Sequence, residues 1–267
     1  TARGRKMRDE LRIRVGTEGG DFVGSTHMAL QAAVDYVGAR GGGVVDVGEG
    51  AYTLRNAVHL KSGVRIVGQG AKTILRKAAS VSTRLSEDCD WYDDSIVVDD
   101  PTGFEVGGGV VLRARHAHGE GRSVMKFTVV GVDGSRIRLS RAPHNQARAN
   151  FWTTHEATAS TLHPLLTANW EQDIAIEDIT LDGNRSETEL LDGNFGGCVF
   201  LQDCQRVRMS GVHALNNNGD GISWQVCDDV TVDGCVSEGH ANLGLHPGSG
   251  SQRPVIRGNT VRDCNVG

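Results

Sequence analysis

The sequence predicts an all-β chain that folds as a right-handed parallel β-helix, a solenoid of stacked coils. The first reason is an internal repeat, because residues 199–207 lie over residues 222–230 with a constant offset of 222 − 199 = 23 that places Gln202 on Gln225. The second is that each unit is a set of short apolar runs, too small to bury its apolar face unless it stacks on neighbours. The third is the composition, 36 Gly against 5 Pro in 267 residues, which fits many sharp corners rather than a disordered chain.

Each coil is expected to contain three short strands. In the clearest coil they cover residues 222–224, 230–232 and 235–237, and the tight-turn dipeptide Asp233-Gly234 separates the last two. The first and third residues of each strand are mostly apolar, as the alternation of side chains along a β-strand requires. Three strands per turn with one tight corner describe a parallel β-helix.

The chain is expected to begin with an arm and a helix. Residues 1–20 form a basic arm, with six Arg or Lys in the first fourteen positions, and we interpret it as a solvated leader rather than a binder of acidic polymers. Ser25 or Thr26 can cap a helix that runs to about Gly38, with Met28 and Tyr36 on its apolar face. This helix and the first coils occupy residues 21–79.

The run GGGVVDVGEGAYTL at residues 41–54, followed by VHLKSGVRIVGQG at residues 58–70, resembles the opening of pectate-lyase-like β-helix proteins. In that family a helix caps the open end of the coil stack. The resemblance implies the same role for the helix in this chain, because a terminal coil otherwise exposes strand edges and apolar surface.

Residues 80–150 do not follow the coil pattern and are interpreted as a small β insertion, after which residues 151–267 return to coils. The insertion carries an acidic loop in which Asp90, Asp93 and Asp94 offer oxygen ligands of the kind that Ca²⁺ prefers. Their spacing is not that of an EF-hand loop, and solvated turn residues are the simpler interpretation. The chain stops within a coil, so we expect further chain, or a second copy in a homo-oligomer, to cover the last coil.

Composition excludes several functions. A net charge of −5 gives no indication of nucleic-acid binding, and no apolar run reaches the 18 residues of a membrane span. Six Cys residues without a C-x-x-C pair do not predict zinc, and Cys204 and Cys227 are expected to form a ladder of buried thiols. We expect a secreted, periplasmic or cell-surface protein.

The candidate site lies on the first strand of each coil, which floors the groove in this fold class by analogy. If Ile222 and Trp224 point inward, Ser223 points outward, and the next coil places His246 outward as well. His246 on a rigid strand is a candidate base, since its unperturbed pKa lies near neutrality. Asp220, one coil below, is a candidate acid, base or cation ligand, although Asp also forms turn hydrogen bonds at such corners.

Other polar and aromatic residues in the same region are also candidates for catalysis or substrate binding. His240 lies in the corner between coils as a second catalytic candidate, and Arg253 is placed to pair with a substrate carboxylate. Gln202 and Gln225 form either a polar binding floor or a plain ladder. Trp224 is expected in the core, with sugar stacking as its alternative role.

Two resemblances indicate a chemistry. Asn218-Gly219-Asp220 partly resembles the Asn-Thr-Asp motif of polygalacturonase-type glycoside hydrolases, but the family's Asp-Asp pair on the following coil is absent. The segment at residues 243–248, LGLHPG, resembles the Y-G-x-D-P-H motif of alginate-type C5-epimerases and related lyases, with Leu243 for Tyr, His246 for Asp and Gly248 for the final His. The epimerase resemblance implies proton abstraction beside a uronate carboxylate.

We therefore expect a carbohydrate-active enzyme with a polysaccharide substrate, acting as a uronate-directed lyase or C5-epimerase. A glycoside hydrolase is the alternative within the enzymes. A non-catalytic carbohydrate-binding or surface β-helix protein is the alternative outside them. No cofactor is required by any of these expectations, with Ca²⁺ as the one candidate.

Overall fold

The computed structural model describes residues 10–116, 121–143, 150–191 and 195–266. Residues 1–9, which carry most of the basic arm expected over residues 1–20, lie outside the described residues. Among the described residues, no helix combines the length and the apolar character needed to cross a membrane.

The first part of the chain forms a capping helix and the first coils. Its elements in chain order are β1 (Arg12–Gly16), β2 (Phe22–Val23), α1 (His27–Gly38), β3 (Gly43–Val47), β4 (Gly50–Leu54), β5 (Val58–His59) and β6 (Val64–Lys77). Strand β1 pairs in parallel with β3, so the second half of the segment expected as an arm belongs to the coil stack.

Helix α1 begins where the sequence predicted. The Thr26 side chain accepts a hydrogen bond from the backbone nitrogen of Met28 at 3.3 Å, which satisfies one of the free donors of the first turn. The buried face matches the expected apolar face only in part: Ala33 and Val37 are fully buried, but Met28 is 67% exposed and Leu30 and Val34 are buried instead. The buried stripe therefore runs through Leu30, Val34 and Val37, and Met28 lies beside it.

The insertion forms a separate antiparallel sheet. Its strands are β7 (Ser82–Arg84), β8 (Ser95–Val97), β9 (Gly109–Arg115), β10 (Arg122–Asp133), β11 (Arg136–Leu139) and β12 (Thr158–Ser160), in the spatial order β7-β12-β9-β10-β11-β8. The sheet has a core of its own, which includes Leu112, Phe127 and Phe151. Because β12 pairs with β9, the insertion sheet extends beyond residue 150.

The remaining strands complete the coils. They are β13 (Leu166–Asn169), β14 (Gln172–Asp182), β15 (Val199–Gln202), β16 (Gln205–Ser210), β17 (His213–Leu215), β18 (Ile222–Gln225), β19 (Thr231–Asp233), β20 (Val236–Glu238), β21 (Leu245–Pro247), β22 (Val255–Arg257) and β23 (Thr260–Arg262). Two short 3₁₀ turns lie at Thr153–His155 and Arg185–Glu187.

These strands stack in parallel, so the chain is the parallel β-helix that the sequence predicted. One sheet consists of β5, β13, β15, β18 and β21 in the order β21-β18-β15-β13-β5, and we call it the groove sheet. Val199 pairs with Ile222 and Ile222 with Leu245, so the offset of 23 continues into the next coil (245 − 222 = 23). Stacked aliphatic side chains fill most of the interior.

Two further ladders run along the stack. Cys204 and Cys227 are buried free thiols in adjacent coils, as expected. At one corner Asp173, Arg206, Asp229 and Arg253 occupy successive coils, all with φ between 52° and 57°. The Arg206 guanidinium lies 2.7 Å from Asp173, and that of Arg253 lies 2.7 Å from Asp229, so the charges alternate along the corner.

Candidate functional site

The residues predicted as a catalytic pair are in direct contact. Nδ1 of His246 lies 2.7 Å from Oδ2 of Asp220. The Asp220 side chain has no exposed surface, whereas that of His246 is 24% exposed. Because an ionised carboxylate only accepts hydrogen bonds, a charged Asp220 would bind the tautomer of His246 that carries its proton on Nδ1. The geometry thus suits a histidine whose Nε2 accepts a proton.

The turn before β18 fixes Asp220. Its other carboxylate oxygen, Oδ1, accepts a hydrogen bond from the backbone nitrogen of Leu243 at 3.1 Å. Asn217 is fully buried and donates from Nδ2 to the backbone oxygens of Asp220 and Gly196, both at 2.6 Å. Gly221 follows, where a Cβ would lie 2.5 Å from the backbone oxygen of Gly244. Only glycine allows this close approach of coils, so the local sequence is suited to holding the carboxylate beneath His246.

Parallel pairing aligns the outward side chains of the groove sheet in columns. One column contains Thr167, Phe200, Ser223 and His246, each paired with the next. Ser223 is fully buried and its hydroxyl donates to the backbone oxygen of Val199 at 3.4 Å. Strands in a sheet are about 4.8 Å apart, so His246 lies two spacings, or about 10 Å, from Phe200 along the groove.

A second outward column consists of side-chain amides. Asn169 pairs with Gln202, and Gln202 pairs with Gln225. Nε2 of Gln225 is buried without a hydrogen-bond partner among the described residues. A Cβ at Gly248 would lie 1.6 Å from that nitrogen, so the glycine makes room for the amide. Gln202 and Gln225 thus form a ladder of side-chain amides beside the column that contains His246.

The other predicted residues are placed differently. His240 is 1% exposed and accepts a hydrogen bond at Nδ1 from the backbone nitrogen of Asn217 at 3.2 Å. Burial lowers the pKa of His240 to about 4, so it is a neutral residue behind the groove with no access to a substrate. Trp224 has no exposed surface, packs in the core and offers no face to a sugar.

Arg253 does not reach the groove. Its guanidinium binds the Asp229 carboxylate through two contacts, at 2.7 and 3.0 Å, on the corner that carries the charge ladder. The expected pairing with a substrate carboxylate is thus replaced by a pairing within the stack. The Asp229 carboxylate in turn has its pKa lowered, chiefly by the hydrogen bond from Arg253.

A cleft that the sequence did not reveal lies between the insertion and the groove sheet. It has a volume of about 470 Å³ and is lined by β10 on one side and by the ends of β13 and β15 on the other. Lys126 projects into it from β10, and its Nζ lies 3.8 Å from the centre of the Phe200 ring. Nζ also donates to the backbone oxygen of Phe195 at 3.4 Å. Burial in the cleft lowers the pKa of Lys126 to about 7.

The described residues form no metal centre. Over residues 10–116, 121–143, 150–191 and 195–266, no three His, Cys, Asp or Glu side chains are grouped as metal ligands. In the acidic loop, Asp93 instead accepts a hydrogen bond from the backbone nitrogen of Asp90 at 2.7 Å, and Asp90 accepts one from that of Trp91 at 2.8 Å. The carboxylates of Asp90 and Asp93 thus bind backbone nitrogens of their own loop, as turn residues do.

No protein-family model matches the chain, and no curated protein matches it by sequence. Solved structures do. The mannuronan C-5 epimerase AlgE6 A-module of Azotobacter vinelandii aligns with a TM-score of 0.47 and 13% identity, over 89% of this chain and 52% of that one. An exopolygalacturonase from Thermotoga maritima aligns with a TM-score of 0.40 and 14% identity, over 86% and 50%.

A third similar structure is the Gp54 tailspike of Acinetobacter baumannii bacteriophage AP22, solved in complex with a capsular saccharide. It aligns with a TM-score of 0.31 and 12% identity, over 89% of this chain and 43% of that one. The chain spans about half the length of these three structures. At these identities and TM-scores the similarities carry no conclusion about activity, and the parallel β-helix is established by the strand pairing itself.

Proposed function

We propose that the protein is an enzyme that acts on a polysaccharide by proton abstraction from a uronate ring, as a lyase or a C5-epimerase. The observation that supports this is the Asp220–His246 pair at the outward face of the groove sheet. Asp220 fixes the proton on Nδ1, so Nε2 of His246 is the base. General acid–base catalysis by a positioned histidine typically contributes about 10²–10⁴-fold to a rate.

The proposed step moves one proton and one electron pair. Nε2 of His246 takes the proton from C5, and the electron pair of that C–H bond passes towards the ring carboxylate. In a lyase the pair then forms the C4–C5 double bond, the C4–O bond breaks, and the leaving oxygen takes a proton from water. In an epimerase water supplies a proton to C5 from the opposite face. In both cases His246 then releases its proton to solvent. Asp220 stabilises the imidazolium in both cases.

Hydrolysis is the weaker alternative for this groove. An inverting hydrolase uses two carboxyl groups about 6.5–9.5 Å apart. The five described strands of the groove sheet carry no Asp or Glu at an outward position, and Asp220 is covered by His246. A second candidate function is carbohydrate binding without catalysis, which is favoured by a cleft that does not include His246. For either function we propose a location outside the cell or at its surface.

The test is incubation of the protein with uronate-containing and neutral polysaccharides. Ultraviolet absorbance of an unsaturated product reports a lyase, exchange of the C5 proton in deuterated water reports an epimerase, and new reducing ends without absorbance report a hydrolase. We expect His246→Ala to abolish the activity. His213→Ala is the matched control, because His213 is bound to Glu238 at 2.7 Å on another strand. Full activity in His246→Ala would refute the proposal.

A further inference from the structure

We propose that the cleft beneath the insertion binds a carboxylate-bearing sugar residue, with Lys126 holding the carboxylate and Trp170 stacking on the sugar ring. The inference rests on the proposed action on a uronate polysaccharide and adds to it the element of the fold that binds a neighbouring sugar residue. That element is the insertion rather than the coil corner at Arg253.

The first argument is an unbalanced charge. Two basic residues, Lys126 and Arg141, are among the described residues that line the cleft. None of those residues is Asp or Glu. Arg141 lies 5.0 Å from the centre of the Phe127 ring. Several other described cations are paired with a carboxylate, such as Lys72 with Glu49 at 2.8 Å. A half-buried ammonium without an anion is unfavourable, and a bound carboxylate would correct this.

The second argument is an exposed aromatic ring at the rim of the cleft. Trp170 is 79% exposed, although an indole of this size is usually covered. Its backbone is held with φ of 61°, and its nitrogen donates to the backbone oxygen of Gln202 at 3.2 Å. The ring is therefore presented to solvent from a fixed backbone. The flat face of a pyranose ring would cover its apolar surface, while sugar hydroxyls remain free for hydrogen bonds.

The third argument is the polar floor between these two groups. Asn169 and Gln202 lie in register on adjacent strands and line the cleft. Side-chain amides both donate and accept hydrogen bonds, which suits sugar hydroxyls. A cleft of about 470 Å³ lies at the small end of ligand sites. One or two sugar residues of a longer chain fit this shape.

The position of the cleft defines which residue of the polysaccharide it binds. Lys126 lies over Phe200, and His246 lies two strand spacings further, or about 10 Å along the groove. One sugar residue does not contact both. The carboxylate bound by Lys126 therefore belongs to a neighbouring residue of the chain, and the sugar ring under His246 is a separate one.

The charge of the site depends on pH through Lys126. The groups that face it from the packed elements are His59 on β5, His163 before β13, and Arg141 after β11. Burial is the main cause that lowers the pKa of His59, and it lowers the pKa of His163 to about 3. Both are thus neutral above pH 6.5, and Arg141 stays charged. Deprotonation of Lys126 as pH rises through about 7 should weaken binding of an acid.

The test is calorimetric titration of the intact chain with trimers of galacturonate, mannuronate and glucuronate, each beside its methyl ester. We expect at least one acidic trimer to bind and its ester to bind weakly. Lys126→Met should weaken binding of the acid by about tenfold to hundredfold, the loss of one charge-assisted hydrogen bond, with little effect on the ester. Trp170→Ala should weaken both. Lys72→Met is the control, and binding of the acid should be tighter at pH 6 than at pH 8.5.

The same titration with His246→Ala separates this inference from the proposed function. Binding that survives in His246→Ala and is lost in Lys126→Met supports the cleft, whether or not any activity is found. Activity on uronates with unchanged affinity in Lys126→Met overturns the inference and leaves the proposed function standing. Absence of binding for all three acids also overturns it. Circular dichroism of each variant checks that the loss is not unfolding.

Discussion

Asp220→Asn is the substitution that tests the catalytic pair most directly. Asn has the shape of Asp, so Oδ1 can still accept the hydrogen bond from Leu243 and the turn should fold. The amide nitrogen would face Nδ1 of His246 in place of a carboxylate oxygen. Because an amide nitrogen only donates, the imidazole must accept at Nδ1 and carry its proton on Nε2. The outward nitrogen is then no longer a base.

The size of the effect follows from the contact. A hydrogen bond to a charged group contributes about 1.5–3 kcal/mol, and 1.4 kcal/mol is tenfold in a rate. We therefore expect the turnover number on the substrate to fall by about 10- to 100-fold from this contact alone, and further from the change of tautomer. Nitrogen-15 chemical shifts of the His246 ring should show the proton moved from Nδ1 to Nε2.

The control is Asp229→Asn, the same substitution at a carboxylate that binds Arg253 on the corner. It should leave the turnover number and the His246 tautomer unchanged. An Asp220→Asn variant that is folded, keeps the proton on Nδ1 and retains full activity would show that the reasoning from the buried carboxylate is incorrect.

Three further outcomes follow from the positions of single side chains. Trp224→Ala should lower the free energy of unfolding by about 3–5 kcal/mol, as measured by denaturant titration, because the ring is fully buried; an unchanged midpoint would contradict its place in the core. Arg253→Ala should leave the affinity for acidic trimers unchanged, since its guanidinium is bound to Asp229. A large loss of affinity would show that Arg253 contacts the substrate after all. Burial lowers the pKa of Lys77 from 10.5 to about 8, so the unfolded chain binds more protons between these values and stability rises with pH across that range. Lys77→Met should reduce this rise, and an unchanged slope would show that the amine is solvated.

The repeat was sufficient to predict the fold and the pair formed by Asp220 and His246, but not the cleft at Lys126. One offset of 23 fixed which strand lies above which, and alternation within a strand then fixed which side chains leave the core. Those two rules placed His246 outward and Asp220 one coil below it, where they are in contact. The same rules placed Trp224 inward, and its burial follows from them. These rules could not predict the buried face of α1, because that face depends on how the helix packs on the first coils.

The remaining features depend on contacts that no local pattern contains. Alternation along β10 indicates that Lys126 points away from Met125 and Phe127, but not that it faces Phe200, a residue 74 positions later (200 − 126 = 74). Only the docking of the insertion on the groove sheet brings them together. Arg253 is a different case, because Asp229 lies 24 residues before it. This interval is close to the repeat of 23, so the repeat alone could have predicted that Arg253 pairs with Asp229.

The last three strands of the groove sheet repeat at an equal interval along the chain. Each adds 23 residues, from Val199 to Ile222 and from Ile222 to Leu245, and only about 4.8 Å to the length of the groove. The interval between Phe200 and His246 is therefore set by a count of coils. Under the proposed function, duplication or deletion of one such coil would shift the base along the polymer by one strand spacing. Such a change would alter which sugar unit reacts relative to the one that is held, so the spacing of modified units in a product could evolve separately from the chemistry.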